Sequence, residues 1–399
     1  MPTPTCSSSD SAASRAAWLL AGVEFFFSLG WVVYVIFLPE LLARGGVDKG
    51  HLPWLLAADQ LLFALADWSI GVAVDRARAA LRRIGAMLVL VSAVAAVAML
   101  LLPWLAATPA VFLLATAVWV AASAALRAPP YVLLSRHAAR AAMPRLAGIQ
   151  LLGLAVASAL APYLAIVLKG VDPALPFALS ALAVGVTALA LAAVERALPP
   201  PQPVVVDAAV AADVAGGRRA HAAGWSVLLL IALLFAFGQQ VHTAINSAAQ
   251  FRRLADPALL PWLLPVFWAG FSIGLLAVGR LVRARGALAV LQLSAAGGAL
   301  ALGSAALAGS LVVLLPSQFV VGALWGCILC TSIGVAAERG DPLQSGRHTG
   351  ALMATLAVAA MSRLSLAAAG GGAAGAPLEW LPVAVWVAAL VLLLRLPRG

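Results

Sequence analysis

The chain is a succession of solidly apolar runs separated by short polar connections, and this pattern leaves few folds open. A bilayer's hydrocarbon core of ~30 Å takes roughly 20 apolar residues in a helix. Twelve segments meet that length: 16–38, 52–74, 84–105, 110–134, 146–168, 174–194, 225–248, 258–279, 287–308, 311–335, 348–370 and 378–395. Only 10% of the residues are charged and 64% are hydrophobic, whereas soluble domains average about 25% charged. So few charges cannot cover a water-facing surface. A membrane β-barrel would alternate apolar and polar residues. These runs are instead continuous Ala and Leu, which leaves helices that satisfy their own backbone groups. The expected fold is an all-α integral membrane protein with twelve transmembrane helices in two six-helix halves.

Charge placement orients the chain. The formal charge is +10, carried by 25 Lys and Arg against 15 Asp and Glu. Counted along the sequence, 18 of the 25 cations fall in loops and termini on one side, and five (Arg44, Lys49, Lys169, Arg252, Arg253) fall on the other. Arg127 and Arg363 remain inside apolar runs. Cytoplasmic loops collect Lys and Arg, so both termini are expected in the cytoplasm of a bacterial-type inner membrane. The arginines read as topology signals rather than a nucleic-acid surface. The expected division is 1–195 for the first half, 196–224 for a cytoplasmic linker and 225–399 for the second half. The linker carries Pro199-Pro200-Pro201-Gln202-Pro203, Gly216-Gly217 and Arg218-Arg219, a composition typical of disorder. The first apolar run is longer than a signal-peptide core and reads as an uncleaved helix. Cys6, Cys327 and Cys330 form no metal or disulfide framework, and the latter two read as small packing residues.

One charged connection carries a motif: Gly71-Val-Ala-Val-Asp75-Arg76-Ala-Arg78-Ala-Ala-Leu-Arg82-Arg83. Its Gly-x-x-x-Asp-Arg start and trailing arginines resemble the signature loop between helices 2 and 3 of the major facilitator superfamily of secondary transporters. It departs from that pattern in having Arg78 at a Gly position and its basic pair three residues late. A second copy, Gly279-Arg280-Leu281-Val282-Arg283-Ala284-Arg285-Gly286, has Arg283 where the acid belongs. The resemblance spans nearly the whole chain and implies two similar halves with a substrate site at their interface. It also implies that Asp75 and Arg76, with Gly71, latch the inner side against the start of helix 11, near His348-Thr349-Gly350. Arg78, Arg82 and Arg83 would support that latch. A helix N-terminus offers about half a positive charge and unpaired N–H groups to such an acid.

Ionisable residues inside a membrane helix are costly and mark function. Five stand out: Glu24, Asp59, Asp67, Arg127 and Arg363. At 1.5 Å per residue, Glu24 lies ~12 Å and Arg127 ~10 Å from the inner ends of helices 1 and 4. The resemblance makes these two helices, with 7 and 10, the cavity walls, so Glu24 and Arg127 are expected to pair or share a substrate. Glu24 is followed by Phe25-Phe26-Phe27, a low-dielectric setting suited to a proton carrier. Asp59 and Arg363 lie ~10 Å from the outer ends of helices 2 and 11. An Asp59–Arg363 bridge is expected to close the outer gate.

Polar side chains give the remaining candidates. On helix 7, His242, Asn246 and Gln250 recur every four residues and share one face with Gln239. That stripe, with Gln150 on helix 5 and Gln318 and Trp325 on helix 10, forms the expected substrate-contact set. Helix 5 reads Gly148-x8-Ala157-x3-Ala161-Pro162-x2-Ala165, which is similar to the helix 5 signature of proton-coupled drug antiporters with Ala for Gly at three places. No phosphate-binding Gly-x-x-x-x-Gly-Lys-Ser/Thr occurs, and no catalytic constellation or metal cluster stands out. The expected activity is alternating-access transport of a small organic solute, as proton-coupled export, by a monomer in the lipid bilayer without a cofactor. Uptake or exchange of an anionic metabolite on Arg127 and Arg363 is the second reading. A membrane scaffold or enzyme is the remote third.

Overall fold

The computed structural model describes residues 8–76, 84–124, 127, 130, 131, 134, 142–197, 208–339, 345–370 and 376–395. Twelve long helices carry the fold: α1 Ser8–Arg44, α2 Leu52–Arg76, α3 Ile84–Leu105, α4 Pro109–Ser123, α5 Met143–Val167, α6 Ala174–Ala197, α7 Ala208–Val241, α8 Pro265–Arg285, α9 Ala287–Ala306, α10 Leu311–Arg339, α11 Ser345–Ala368 and α12 Ala376–Leu394. No strand occurs among the described residues. Eight described helices are long and apolar enough to cross a membrane, and four shorter apolar helices complete the set of twelve. Their outward faces carry Trp18, Leu65, Leu90, Leu114, Leu182, Leu300 and Val312, all exposed. Exposed apolar side chains in such numbers suit a surface solvated by lipid.

Two apolar cores organise the bundle. One gathers Tyr34, Phe37, Leu41, Phe63, Met99, Phe112, Trp119 and Phe177 from α1 to α6. The other gathers Phe235, Phe271, Leu275, Trp325, Ile328 and Trp386 from α7, α8, α10 and α12. Each reaches across: Ala357 of α11 belongs to the first cluster, and Tyr131, Leu151 and Ala155 belong to the second. The crossing contacts run mainly through α2 against α11 and α5 against α8. The two halves also share a local device that the apolar pattern hides. Before α2, Asp48 caps a short 3-10 turn by accepting from the Gly50 N–H (2.6 Å). Before α8, Asp256 does the same for the Ala258 N–H (2.8 Å).

Several boundaries differ from the sequence expectation. Gly71 to Arg76 is the last part of α2, not a loop. Likewise α8 runs through Gly279 to Arg285 before Gly286, at φ 80°, turns the chain. Neither stretch holds a proline, and its Ala, Leu and Arg residues favour helix, so the helices continue past the apolar region. Residues 208–224, expected as disordered linker, are helical and continuous with α7. Their abundant alanines outweigh Gly216-Gly217 in propensity. Arg78, Arg82, Arg83, Cys6 and Pro199–Pro203 lie outside the described residues.

Candidate functional site

The end of the bundle that carries Arg76, Arg285 and the start of α11 is here termed the basic end. Three residues of α2, spaced four apart, meet α11 there. A Cβ on Gly350 would strike the Asp67 carbonyl. A Cβ on Gly71 would strike the Gly346 carbonyl and lie 3.0 Å from the Gly350 Cα. One turn on, Asp75 Oδ1 accepts from the Gly346 N–H (2.9 Å) and Oδ2 from the Arg347 N–H (2.7 Å). The carboxylate thus caps the N-terminus of α11, where donors lack intrahelical partners. This helix begins at Ser345, a turn earlier than expected from His348. His348 instead packs edge-on against Trp225, with centroids 4.6 Å apart. Arg76 is exposed. The basic end is further joined by α5 and α8: a Cβ on Gly148 would meet the Leu275 carbonyl, and one on Gly279 would meet Arg145 Cβ at 2.7 Å.

A charged cluster lies between the helices of the first half. Asp67 is fully buried and pairs with Arg127 (Nη1 to Oδ2, 3.3 Å), whose side chain is 17% exposed. At that separation the pair is ionic but not aligned as a hydrogen bond, and neither Asp67 oxygen has a hydrogen-bond partner among the described residues. The Arg127 guanidinium also rests 4.6 Å from the Phe63 ring centroid, a cation–π contact. Glu24 of α1 is buried and within electrostatic reach of both Arg127 and Asp67. Gln150 of α5 lies beside it, but neither of its amide atoms makes an aligned hydrogen bond. Tyr131 is buried and within electrostatic reach of Glu24, Arg127 and Cys330. Of the two carboxylates, Asp67 forms the ion pair with Arg127, and Glu24 stands within electrostatic reach of that pair.

The proposed outer bridge is not formed. Asp59 accepts a hydrogen bond from the Tyr34 hydroxyl (2.9 Å). The Arg363 Nε is buried without a hydrogen-bond partner among the described residues, and no Asp59–Arg363 ion pair is present in this conformation. The Tyr34 hydroxyl, from α1 in the same half, reaches Asp59 first. At this end α5 meets the segment before α8 through Tyr163 and Trp262, with centroids 5.0 Å apart.

The second half holds a neutral network. His242 Nε2 lies 2.9 Å from Gln318 Oε1, which places the ring proton on Nε2. Gln318 Nε2 donates to Gln250 Oε1 (3.1 Å). The even stripe expected on α7 does not hold, because residues His242–Asn246 form a π-helical turn. That wider turn shifts the register, a known feature of functional sites. Asn246 consequently donates to the Leu378 carbonyl of α12 (2.9 Å), and Gln239 donates to Thr243 (3.2 Å). Trp325 is buried against Trp386 with centroids 6.4 Å apart, so it belongs to the core of this half. Cys327 and Cys330 are free and buried. A cavity of about 240 Å³ lies away from both clusters, at the opposite end, between Leu41, Val47, Trp54, Ala106 and Phe112.

The Major Facilitator Superfamily model matches residues 20–362. The chain belongs to the major facilitator superfamily. Members share this twelve-helix architecture, and solved structures agree. A bacterial homologue of the iron transporter ferroportin in an outward-facing state superposes with TM-score 0.75 at 14% identity, covering 96% of this chain and 99% of the other. The human organic anion transporter MFSD10 (TETRAN) gives TM-score 0.71 at 15% identity, over 95% and 99%. The transporter FucP in its outward conformation, whose E. coli form is a fucose:proton symporter, gives 0.67 at 11%, over 96% and 98%. No curated protein sequence matches. At these identities the neighbours establish the fold, and the family establishes secondary transport of a solute.

Three residues escaped the sequence-derived site. Asp67 was visible as an intramembrane acid, but only packing reveals its partner. Tyr34 gave no signal, since a tyrosine in an apolar helix is ordinary. Gly153 was hidden inside the unassigned part of the helix 5 pattern: a Cβ there would strike the Ala21 carbonyl and lie 2.5 Å from the Phe25 N–H.

Proposed function

We propose that this protein is a proton-coupled exporter of small organic solutes. One observation carries the reading: buried Glu24 next to a guanidinium already paired with Asp67. Two carboxylates and one arginine leave a net negative charge in a low-dielectric setting, which a proton or a cationic group neutralises. Gln150 and Tyr131 add hydrogen-bonding capacity beside it, so proton and solute compete for one place. The basic end is assigned to the cytoplasm by the positive-inside rule. With Asp75 capping α11 there, the conformation is closed on the cytoplasmic side, and Asp75, Arg76 and Gly71 act as its latch. Breaking the latch biases the protein toward the opposite state. The neutral His242–Gln318–Gln250 network supplies the second half's contacts.

Solute flux in proteoliposomes under an imposed pH gradient tests this, using solutes found by thermal-shift screening. Glu24→Gln is expected to abolish gradient-driven accumulation while leaving downhill exchange. Unchanged accumulation refutes the role of Glu24. The buried Nε of Arg363 favours a second reading, exchange of an organic anion. In that case Arg363→Gln removes transport and Glu24→Gln spares it.

A further inference from the structure

We infer that Asp67 is the positioning residue through which the central charged cluster controls the latch at the basic end. The inference rests on the proposed transport cycle for its purpose, but its geometry stands apart from it. Asp67, Gly71 and Asp75 recur every four residues on α2 and span ~12 Å along it. The Asp67 backbone abuts Gly350, Gly71 abuts Gly346 and Gly350, and Asp75 accepts from the Gly346 and Arg347 N–H groups. One stripe of α2 is therefore seated on the first turns of α11. At the top of this stripe the Asp67 side chain pairs with Arg127 of its own half.

The consequence is mechanical. Helix α2 is held at two points, by Arg127 of the first half and by α11 of the second. The Asp67–Arg127 pair sets the rotation of α2 about its axis. Gly71 can touch the α11 backbone, and Asp75 can reach two of its amides, only at that rotation. The close glycine contacts leave no room for another, because any side chain brought round would strike the Gly346 or Gly350 backbone.

The pair is also poised to break. Neither Asp67 oxygen is anchored by a hydrogen bond, which is uncommon for a buried carboxylate. Arg127 has an alternative partner in Glu24, within electrostatic reach of it. When Arg127 moves toward Glu24, or toward an anionic or hydrogen-bonding group of a solute beside Gln150, Asp67 loses the ion pair that holds it. Helix α2 is then free to rotate and the cap on α11 is released. A change of charge in the centre is thereby reported to the gate.

The test reads the latch in the full chain, reconstituted in nanodiscs, with no solute and no gradient. Hydrogen exchange at the Gly346 and Arg347 amides reports the Asp75 cap, and spin labels at Arg15 and Arg285 report the separation of the halves at the basic end. Asp75→Asn is the positive control. Asp67→Asn and Arg127→Gln are each expected to speed exchange at those two amides by about tenfold or more and to add a longer-distance population. The charge-swapped double variant, Asp67→Arg with Arg127→Asp, is expected to restore protection toward the wild-type value. A purely structural role for Asp67 gives no such rescue. Where Asp67→Asn does not fold, Arg127→Lys keeps the charge without the guanidinium fork and is expected to give intermediate protection. Protection unchanged in Asp67→Asn or Arg127→Gln, with the control responding, overturns the inference. Absence of rescue in the swap overturns it too. The proposed transport reading fails on a different result, unchanged flux coupling in Glu24→Gln.

Discussion

Replacing Asp75 by asparagine perturbs one contact whose weight can be worked out. The carboxylate accepts two backbone N–H bonds at 2.9 and 2.7 Å from the first turn of α11. Asparagine keeps one acceptor oxygen and puts an amide donor where the other accepted, so one bond becomes a donor facing a donor. A hydrogen bond to a charged group contributes ~1.5–3 kcal/mol, and the helix dipole adds about 0.3–1 kcal/mol. The Arg347 bond is solvent-exposed, which puts the loss near the lower end, about 2 kcal/mol. Since about 1.4 kcal/mol is tenfold in a population, the closed state should lose roughly 30-fold against the opened one. Distance distributions between spin labels at Arg15 and Arg285 would show it as growth of a longer component. A change smaller than about twofold, with the label sites themselves shown to be silent, would mean that the cap does not hold the two halves together.

Three further outcomes follow from contacts away from the latch. A double-mutant cycle of Tyr34→Phe with Asp59→Asn should give a coupling energy of about 1 kcal/mol or more, measured by thermal denaturation in detergent. The cycle of Asp59→Asn with Arg363→Gln should give none in this conformation. Gln318→Leu should cost about 2–5 kcal/mol, because it strands both His242 and Gln250 in a buried network where each lost partner costs ~1–3 kcal/mol; a melting temperature within a degree or so of wild type would contradict it. Gly153→Ala should lower stability by about 1–3 kcal/mol through overpacking on α1, while Gly185→Ala, whose added Cβ meets nothing within 4 Å, should not.

Much of the architecture was legible in the sequence because a bilayer permits so few solutions: apolar length alone gives twelve helices. The Gly71–Arg76 motif led to α11 through its resemblance to the superfamily's signature loop, and an acid next to a helix start has a plain electrostatic reason to be there. What resisted reading was rotation. The sequence put Glu24, Asp67 and Arg127 within apolar runs, but which acid faces the arginine depends on how α1, α2 and the segment after α4 pack against one another. The polar stripe on α7 failed for a related reason. A single π turn at His242–Asn246 displaces the register by one residue, and a four-residue spacing cannot reveal it. The hydrogen bond from Tyr34 to Asp59 was equally hidden, since matching depths along two helices says nothing of a hydroxyl on a third.

The most direct test of the account is solute accumulation in proteoliposomes with a pH gradient imposed, comparing the wild-type protein with Glu24→Gln. The wild-type protein is expected to concentrate the solute against its gradient when the pH difference is present and not otherwise, and Glu24→Gln only to equilibrate it. Accumulation by Glu24→Gln equal to that of the wild type, or wild-type accumulation indifferent to the pH gradient, would contradict proton coupling at this site.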